Sequence, residues 1–343
     1  MYTKIFNKFC KERNVKGSTI TGYWSAIRKY EDYHKLSMDN LIKEALKEET
    51  DNIPLKERKI KDRLLSYRTF LLNSKLSQNT VKSYFTKIKT FYQHFEVEMP
   101  YLPEAKYHKE YETNYLDLPS KEHIRKALAI STLDLQSVIL FMSSSGTAKA
   151  ETLSLSVKSF IDATKEYHNG GSLNEILESL NKKDNIIPTF YLKRIKTDKY
   201  YYTFCSTEAS QCIVKYLLSR QDLKLEDKLF DFTYSTLLAR FQEINDYYNW
   251  GFKGKYRFFR SHTLRKFHAS NIGLSAEYID ALQGRSKNEV HSTYIKTNPD
   301  KLKEIYLSVM DNVMINKSES KEVTQEFTIV INVFLSGKEY NIM

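Results

Sequence analysis

The stretch Phe258–Asn271, FFRSHTLRKFHASN, places two histidines and three basic residues in fourteen positions. His262 and Arg265 lie three apart, so a helix would put them on one face. Guanidinium groups donate several hydrogen bonds in a fixed plane and stay charged, which suits phosphate oxygens. An imidazole beside them can accept or donate a proton near neutral pH. Two other stretches add related chemistry. In ALQGRSKNEVHSTYIK, Tyr294 follows Arg285 by nine residues, and in KRIKTDK, Lys196 sits beside a tight turn. Each piece alone reads equally well as packing or solvated charge, since the chain has 25 tyrosines. Their order along the chain is what gives them weight.

The elements that must position these residues follow from composition and periodicity. The chain has 343 residues, enough for two domains and an appendage. Glycine and proline are scarce, so helix should dominate. The net charge of +11 points to nucleic acid or another anionic surface. Cys10, Cys205 and Cys212 have no zinc-like spacing. With no long apolar run and no continuous apolar segment at the start, a cytoplasmic protein without a membrane partner is expected.

A weak repeat, TITGYWSAIRKY (Thr19–Tyr30) against TVKSYFTKIKTF (Thr80–Phe91), predicts two matching amphipathic helices. Ser77 or Asn79 can cap the second. Lys82, Lys87 and Lys89 fall largely off its apolar stripe and are candidates for DNA phosphate contact. Residues 1–105 read as an all-helical DNA-binding domain and 106–118 as a linker, within a proline-bearing stretch that opposes helix. Residues 119–316 read as a mainly helical domain with a small β-sheet, and 317–343 as a tail. Within the second domain, PSKEHIRKALAI predicts a capped helix, DLQSVILFMSSSG a buried helix ending at Gly146, and IIPTFYLKRIKTDKYYYTFC a hairpin. Helices are expected from Glu208 through Ser308. The stretch Asp300–Ile315 carries one apolar stripe, and EFTIVINVFL predicts a lone strand.

A basic hairpin, then H-x-L-R, then G-R-S with a tyrosine nine residues beyond the arginine, resembles the tyrosine recombinase (phage integrase) family, in archaeal or phage-type integrases or invertases. The resemblance covers nearly the whole chain and implies a helical core-binding domain followed by a mixed α/β catalytic domain. It implies site-specific cutting and rejoining of DNA through a 3′-phosphotyrosyl link, without metal or other cofactor. Tyr294 would be the nucleophile, Arg265 and His262 the phosphate-contacting residues, and Lys196 the general acid. Arg285 stands where a second histidine or a tryptophan is usual and would act by charge alone. Arg260 and Lys266 read as DNA-backbone contacts or surface charge, and His268 and His291 as structural. The implied partner is double-stranded DNA with paired, inverted-repeat sites, clamped by the two domains and bound by dimers and tetramers. In those assemblies the apolar helix and tail beyond Tyr294 would dock on a neighbouring subunit, or else simply close the catalytic core of their own chain.

One departure concerns the first arginine of the family, which sits in a stretch like G-x-R-x-x-E-L. Here SSGTAKAETLSL aligns Gly146 and Glu151 and leaves Ala148 at the arginine position. Either Lys149 supplies the cation after a one-residue adjustment, or an arginine at 148 has been replaced by alanine. The preserved spacing favours the second and implies impaired cleavage, with Glu151 bracing the site. The alternatives in function are a catalytically silent DNA-binding accessory protein and a type IB topoisomerase.

Overall fold

The computed structural model describes residues 2–105, 114–285, 298–316, 333–335 and 338–340. The chain divides into two compact units, residues 1–112 and 113–343.

Among its described residues the first unit is all-helical: α1 (Lys4–Glu12), α2 (Ser18–His34), α3 (Met38–Thr50), α4 (Lys59–Leu72) and α5 (Gln78–His94). The repeated segments lie in α2 and α5, both 17 residues long. Ser77 caps α5 by accepting from the Thr80 amide. The apolar stripes meet in an aromatic core that includes Phe9, Tyr30, Tyr67, Phe91 and Tyr92. Burial would strand the Tyr30 and Tyr92 hydroxyls, and they satisfy one another at 3.2 Å.

The second unit is built around α7 (Leu133–Ser145), entered from α6 (Lys121–Ala129). Ser120 caps α6 by accepting from the His123 amide. Val138 to Met142 are all buried, as expected of a helix apolar on every side. Two short helices, α8 (Lys149–Ser154) and α9 (Val157–Ala163), and α10 (Leu173–Asn181) lead to the hairpin β1 (Thr189–Lys193) and β2 (Tyr200–Phe204). The pairing is antiparallel, with Lys193 opposite Tyr200. Then come α11 (Thr207–Leu218) and α12 (Tyr234–Tyr247). The run of helices expected from Glu208 to Ser308 is interrupted by a second small hairpin, β3 (Phe252–Lys253) with β4 (Tyr256–Arg257). Gly251 has φ +67° and enters that hairpin in a conformation that favours glycine. The unit continues with α13 (Ser261–Asn271), α14 (Ala276–Leu282) and α15 (Pro299–Val309).

Two expectations for the C-terminal region need correction. The helix foreseen over Asp300–Ile315 ends at Val309 and passes through a short 3₁₀ turn at Met310–Asn312. Its apolar face is spent within its own unit, because Leu302, Tyr306, Val313 and Ile315 are buried in the same core as α7. The Tyr306 hydroxyl donates to the Ser144 carbonyl at 3.0 Å, and the Arg125 Nε to the Ile315 carbonyl at 2.9 Å. This stripe therefore does not await a neighbouring subunit. The strand expected to stand alone is one arm of a hairpin in its described part, β5 (Val333–Leu335) with β6 (Lys338–Tyr340). Residues 317–332 lie outside the described residues.

The end of α7 is a tight place in the unit. Gly146 takes φ +66°, and a Cβ there would lie 2.6 Å from the His268 Nδ1 and 2.7 Å from the Gln283 Nε2. Gly146→Ala should cost about 2–4 kcal/mol, from left-handed strain plus overpacking. Gly251→Ala, with similar φ and nothing within 4 Å, should cost about 1–2 kcal/mol. Urea unfolding followed by Trp250 fluorescence, in a Trp24→Phe background, measures both; equal costs would refute the tight contact.

His268 is fully buried, and burial pushes its pKa down to about 3. Below about pH 6.5 the unfolded ring binds a proton that the folded ring refuses, so stability falls as pH drops. The loss should run from about pH 6.5 downward at up to about 1.4 kcal/mol per pH unit. His268→Asn should flatten that fall in the same unfolding assay, and an unchanged slope would show that another group titrates.

Candidate phosphate-binding site

Helix α13 brings the H-x-x-R pair to the end of α7. Its start is fixed by Thr263, whose hydroxyl accepts from the Arg260 amide at 3.1 Å. Leu264 and Phe267 bury one face in the core, and Arg265 is carried inward with them. Its Nη1 donates to the Gly146 carbonyl at 2.7 Å and its Nη2 to the Gln283 carbonyl at 2.8 Å. Burial, followed by the Arg194 charge, lowers the Arg265 pKa to about 10, so the group remains a cation at neutral pH.

His262 lies one turn before Arg265 and is exposed. Partial desolvation, then the cations Arg260, Lys266, Arg265 and Arg285, push its pKa down to about 4. The ring is therefore neutral at pH 7, with one ring nitrogen able to accept a hydrogen bond. Arg285 follows α14; its side chain is 43% exposed and its Nη1 is 3.7 Å from Asp280. Arg260 stacks on Tyr256, 4.5 Å from the ring centroid, with its Nε buried and unpartnered. Lys266 is half-buried. Thus His262, Arg265, Arg285, Arg260 and Lys266 share one cationic neighbourhood.

The hairpin turn carries Lys196 on its exposed tip. The turn is set by the Asp198 amide donating to the Arg194 carbonyl at 2.8 Å, with Asp198 at φ +54°. Ala148 is the N-cap of α8 and brings no polar side chain. Lys149 holds its Nζ 3.2 Å from the centroid of Tyr234. In the first unit, Lys82 is exposed and Lys89 half-buried. Lys87 donates to the Ser83 hydroxyl at 2.7 Å and lies over Tyr23, so it is more engaged than a solvated outer face implies. Tyr294 and His291 lie outside the described residues.

Three participants carry no signal that the sequence reading used. Gln283 is wholly buried; its Nε2 donates to the Arg265 carbonyl at 3.1 Å and to the His268 Nδ1 at 2.9 Å. Arg194, on the hairpin, donates from Nη1 to the same Gln283 carbonyl that Arg265 uses, at 3.1 Å. Tyr201 is buried with its hydroxyl unpartnered, and its ring fills the space where a Cβ on Gly284 would stand, 2.5 Å away. The G of G-R-S was the visible trace of this contact: Gly284 has φ +59° and no room for a side chain.

Among the described residues no group of three or more metal-ligating side chains occurs, and no helix is long and apolar enough to cross a membrane. What the arrangement can do is hold an anion: the guanidiniums of Arg260, Arg265 and Arg285 act electrostatically on a neutral imidazole.

No protein-family model matches the sequence, and no curated protein matches it. Solved structures do share its fold. A λ integrase tetramer bound to a Holliday junction superposes with a TM-score of 0.54 at 12% identity, over 85% of this chain and 78% of that one. The Tn1549 transposon integrase in complex with transposon right-end DNA gives 0.51 at 12% identity, over 89% and 98%. The XerH site-specific recombinase in a post-cleavage complex with palindromic difH substrate gives 0.51 at 16% identity, over 88% and 80%. The mainly helical architecture with its small two-stranded sheets is the fold these integrases and this recombinase share with the chain.

Proposed function

We propose that this chain is a site-specific DNA recombinase that breaks and rejoins strands through a covalent tyrosyl link. The observation that carries the reading is the convergence of Arg265, Arg285 and a neutral His262 at one site on this fold. The Tyr294 oxygen attacks a backbone phosphorus, forming the O–P bond as the bond to the 5′ oxygen breaks. His262, neutral at pH 7, takes the phenolic proton, and Lys196 protonates the departing 5′ oxygen. The arginines stabilise charge on the non-bridging oxygens. The phosphotyrosyl bond retains the energy needed for rejoining. Integration, excision or inversion all use this chemistry, and paired inverted repeats would assemble two and then four subunits. Such a protein works where its DNA is, in the nucleoid or the host cytoplasm.

A second reading, a DNA-binding accessory protein without chemistry, is favoured by Ala148. Both readings use the basic surface, including Lys82, Lys87 and Lys89, so DNA affinity should fall steeply with salt as counterions are released.

The two readings part on a nicked suicide substrate carrying the repeats that flank the gene. The parent chain should become covalently linked to DNA, seen as a shifted band on a denaturing gel. Tyr294→Phe should bind the same DNA normally and give no band. A parent chain that binds the site without forming the link supports the accessory reading. Relaxation of supercoiled plasmid without site preference by a monomer would instead favour a type IB topoisomerase.

A further inference from the structure

Ala148 offers a phosphate nothing, yet the helix it opens is tied to another source of charge. Glu151, in α8, accepts from the Ile195 amide at 3.3 Å, which fixes the start of the β1–β2 turn against α8. The residue before Ile195 is Arg194. Its Nε lies 3.9 Å from the Glu151 Oε1, and its Nη1 donates to the Gln283 carbonyl at 3.1 Å. Arg265 donates to that same oxygen at 2.8 Å. The two donating nitrogens are therefore no more than about 6 Å apart, close enough for strong repulsion in a partly buried place. The side chain of Arg194 is only 15% exposed.

Two guanidiniums converging on one carbonyl oxygen form an arrangement that an anion would relieve. Against them stands Glu151, whose Oε1 is already shared with the Ile195 amide and whose Oε2 is buried without a partner. The Tyr201 hydroxyl, also unpartnered, lies within electrostatic reach of Glu151, Arg265 and Arg194. The surplus at this place is positive, and the groups that make it are fork-shaped donors.

We infer that Arg194, delivered from the hairpin, supplies the guanidinium that binds the reacting phosphate beside Arg265 in place of a residue at 148. This rests on the recombinase reading of the site. The hairpin then contributes two cations, Arg194 to the non-bridging oxygens and Lys196 to the leaving oxygen. On this assignment the native chain is active with alanine at 148.

The test uses the full chain and the nicked substrate, made with either an ordinary phosphodiester or a methylphosphonate at the scissile position. Arg194→Ala should lower the rate of covalent linkage about a hundred- to thousandfold on the phosphodiester. On the methylphosphonate, which lacks the charged oxygen, its deficit should shrink below about tenfold. Lys193→Ala, a neighbouring hairpin cation paired with Asp198, should change either rate little. Adding Ala148→Arg to Arg194→Ala should restore most of the phosphodiester rate. An equal loss on both substrates, without restoration, would make Arg194 a merely structural brace and overturn the inference. So would an Arg194→Ala chain as fast as the parent while Tyr294→Phe is inactive. If the parent is inert but Ala148→Arg forms the link, the recombinase reading stands and this inference fails. If neither forms it, both fail.

Discussion

The carbonyl end of α7 is the constraint on which the second unit depends. A helix buried on all sides ends with oxygens that water cannot reach, and each must find a donor. Three elements distant in sequence supply one each. Tyr306 of α15 takes the Ser144 oxygen, Thr203 of β2 the Ser145 oxygen, and Arg265 of α13 the Gly146 oxygen. The negative end of the helix dipole thus meets a guanidinium, with a favourable sign. Hydrogen bonds from a charged donor are worth about 1.5–3 kcal/mol each, enough to hold Arg265 in one orientation against its own desolvation. Satisfying the backbone and aiming the site are one act.

Gln283 extends that arrangement sideways. Its side chain donates to the Arg265 carbonyl and to His268, while its own carbonyl receives Arg265 and Arg194. One residue therefore links α13, the end of α14 and the β1–β2 hairpin. Collecting so many cations costs energy in the free protein, and His262 stays neutral first through desolvation and then through these charges. A site that repels protons from its own histidine is prepared to receive negative charge.

Much of this was legible in the sequence because local rules and tertiary demands agree. Gly146 after an apolar run marks the end of α7, and alternating aromatic residues around KTDK mark β1 and β2. The spacing of His262 and Arg265 marks a helix face pointing toward one place. Arg194 and Gln283 were not legible, since bonds made through a main-chain carbonyl leave no residue-type signature at the acceptor. The stripe on α15 was visible, but periodicity names a buried face and not the surface that buries it. Leu302 and Tyr306 turned out to pack on their own unit. Lys149, adjacent to the expected cation position, is drawn to Tyr234, a contact that sequence separation conceals.

The two oxygens that hold Arg265 belong to the main chain of Gly146 and Gln283. No point substitution can delete a peptide carbonyl. A side-chain acceptor would have tied the orientation of the arginine to the survival of one codon; these acceptors depend only on the path of the backbone. The residue at position 148, next to that path but not part of the grip, is free to drift without loosening it. The orientation of the arginine is thereby insulated from changes in the side chains around it.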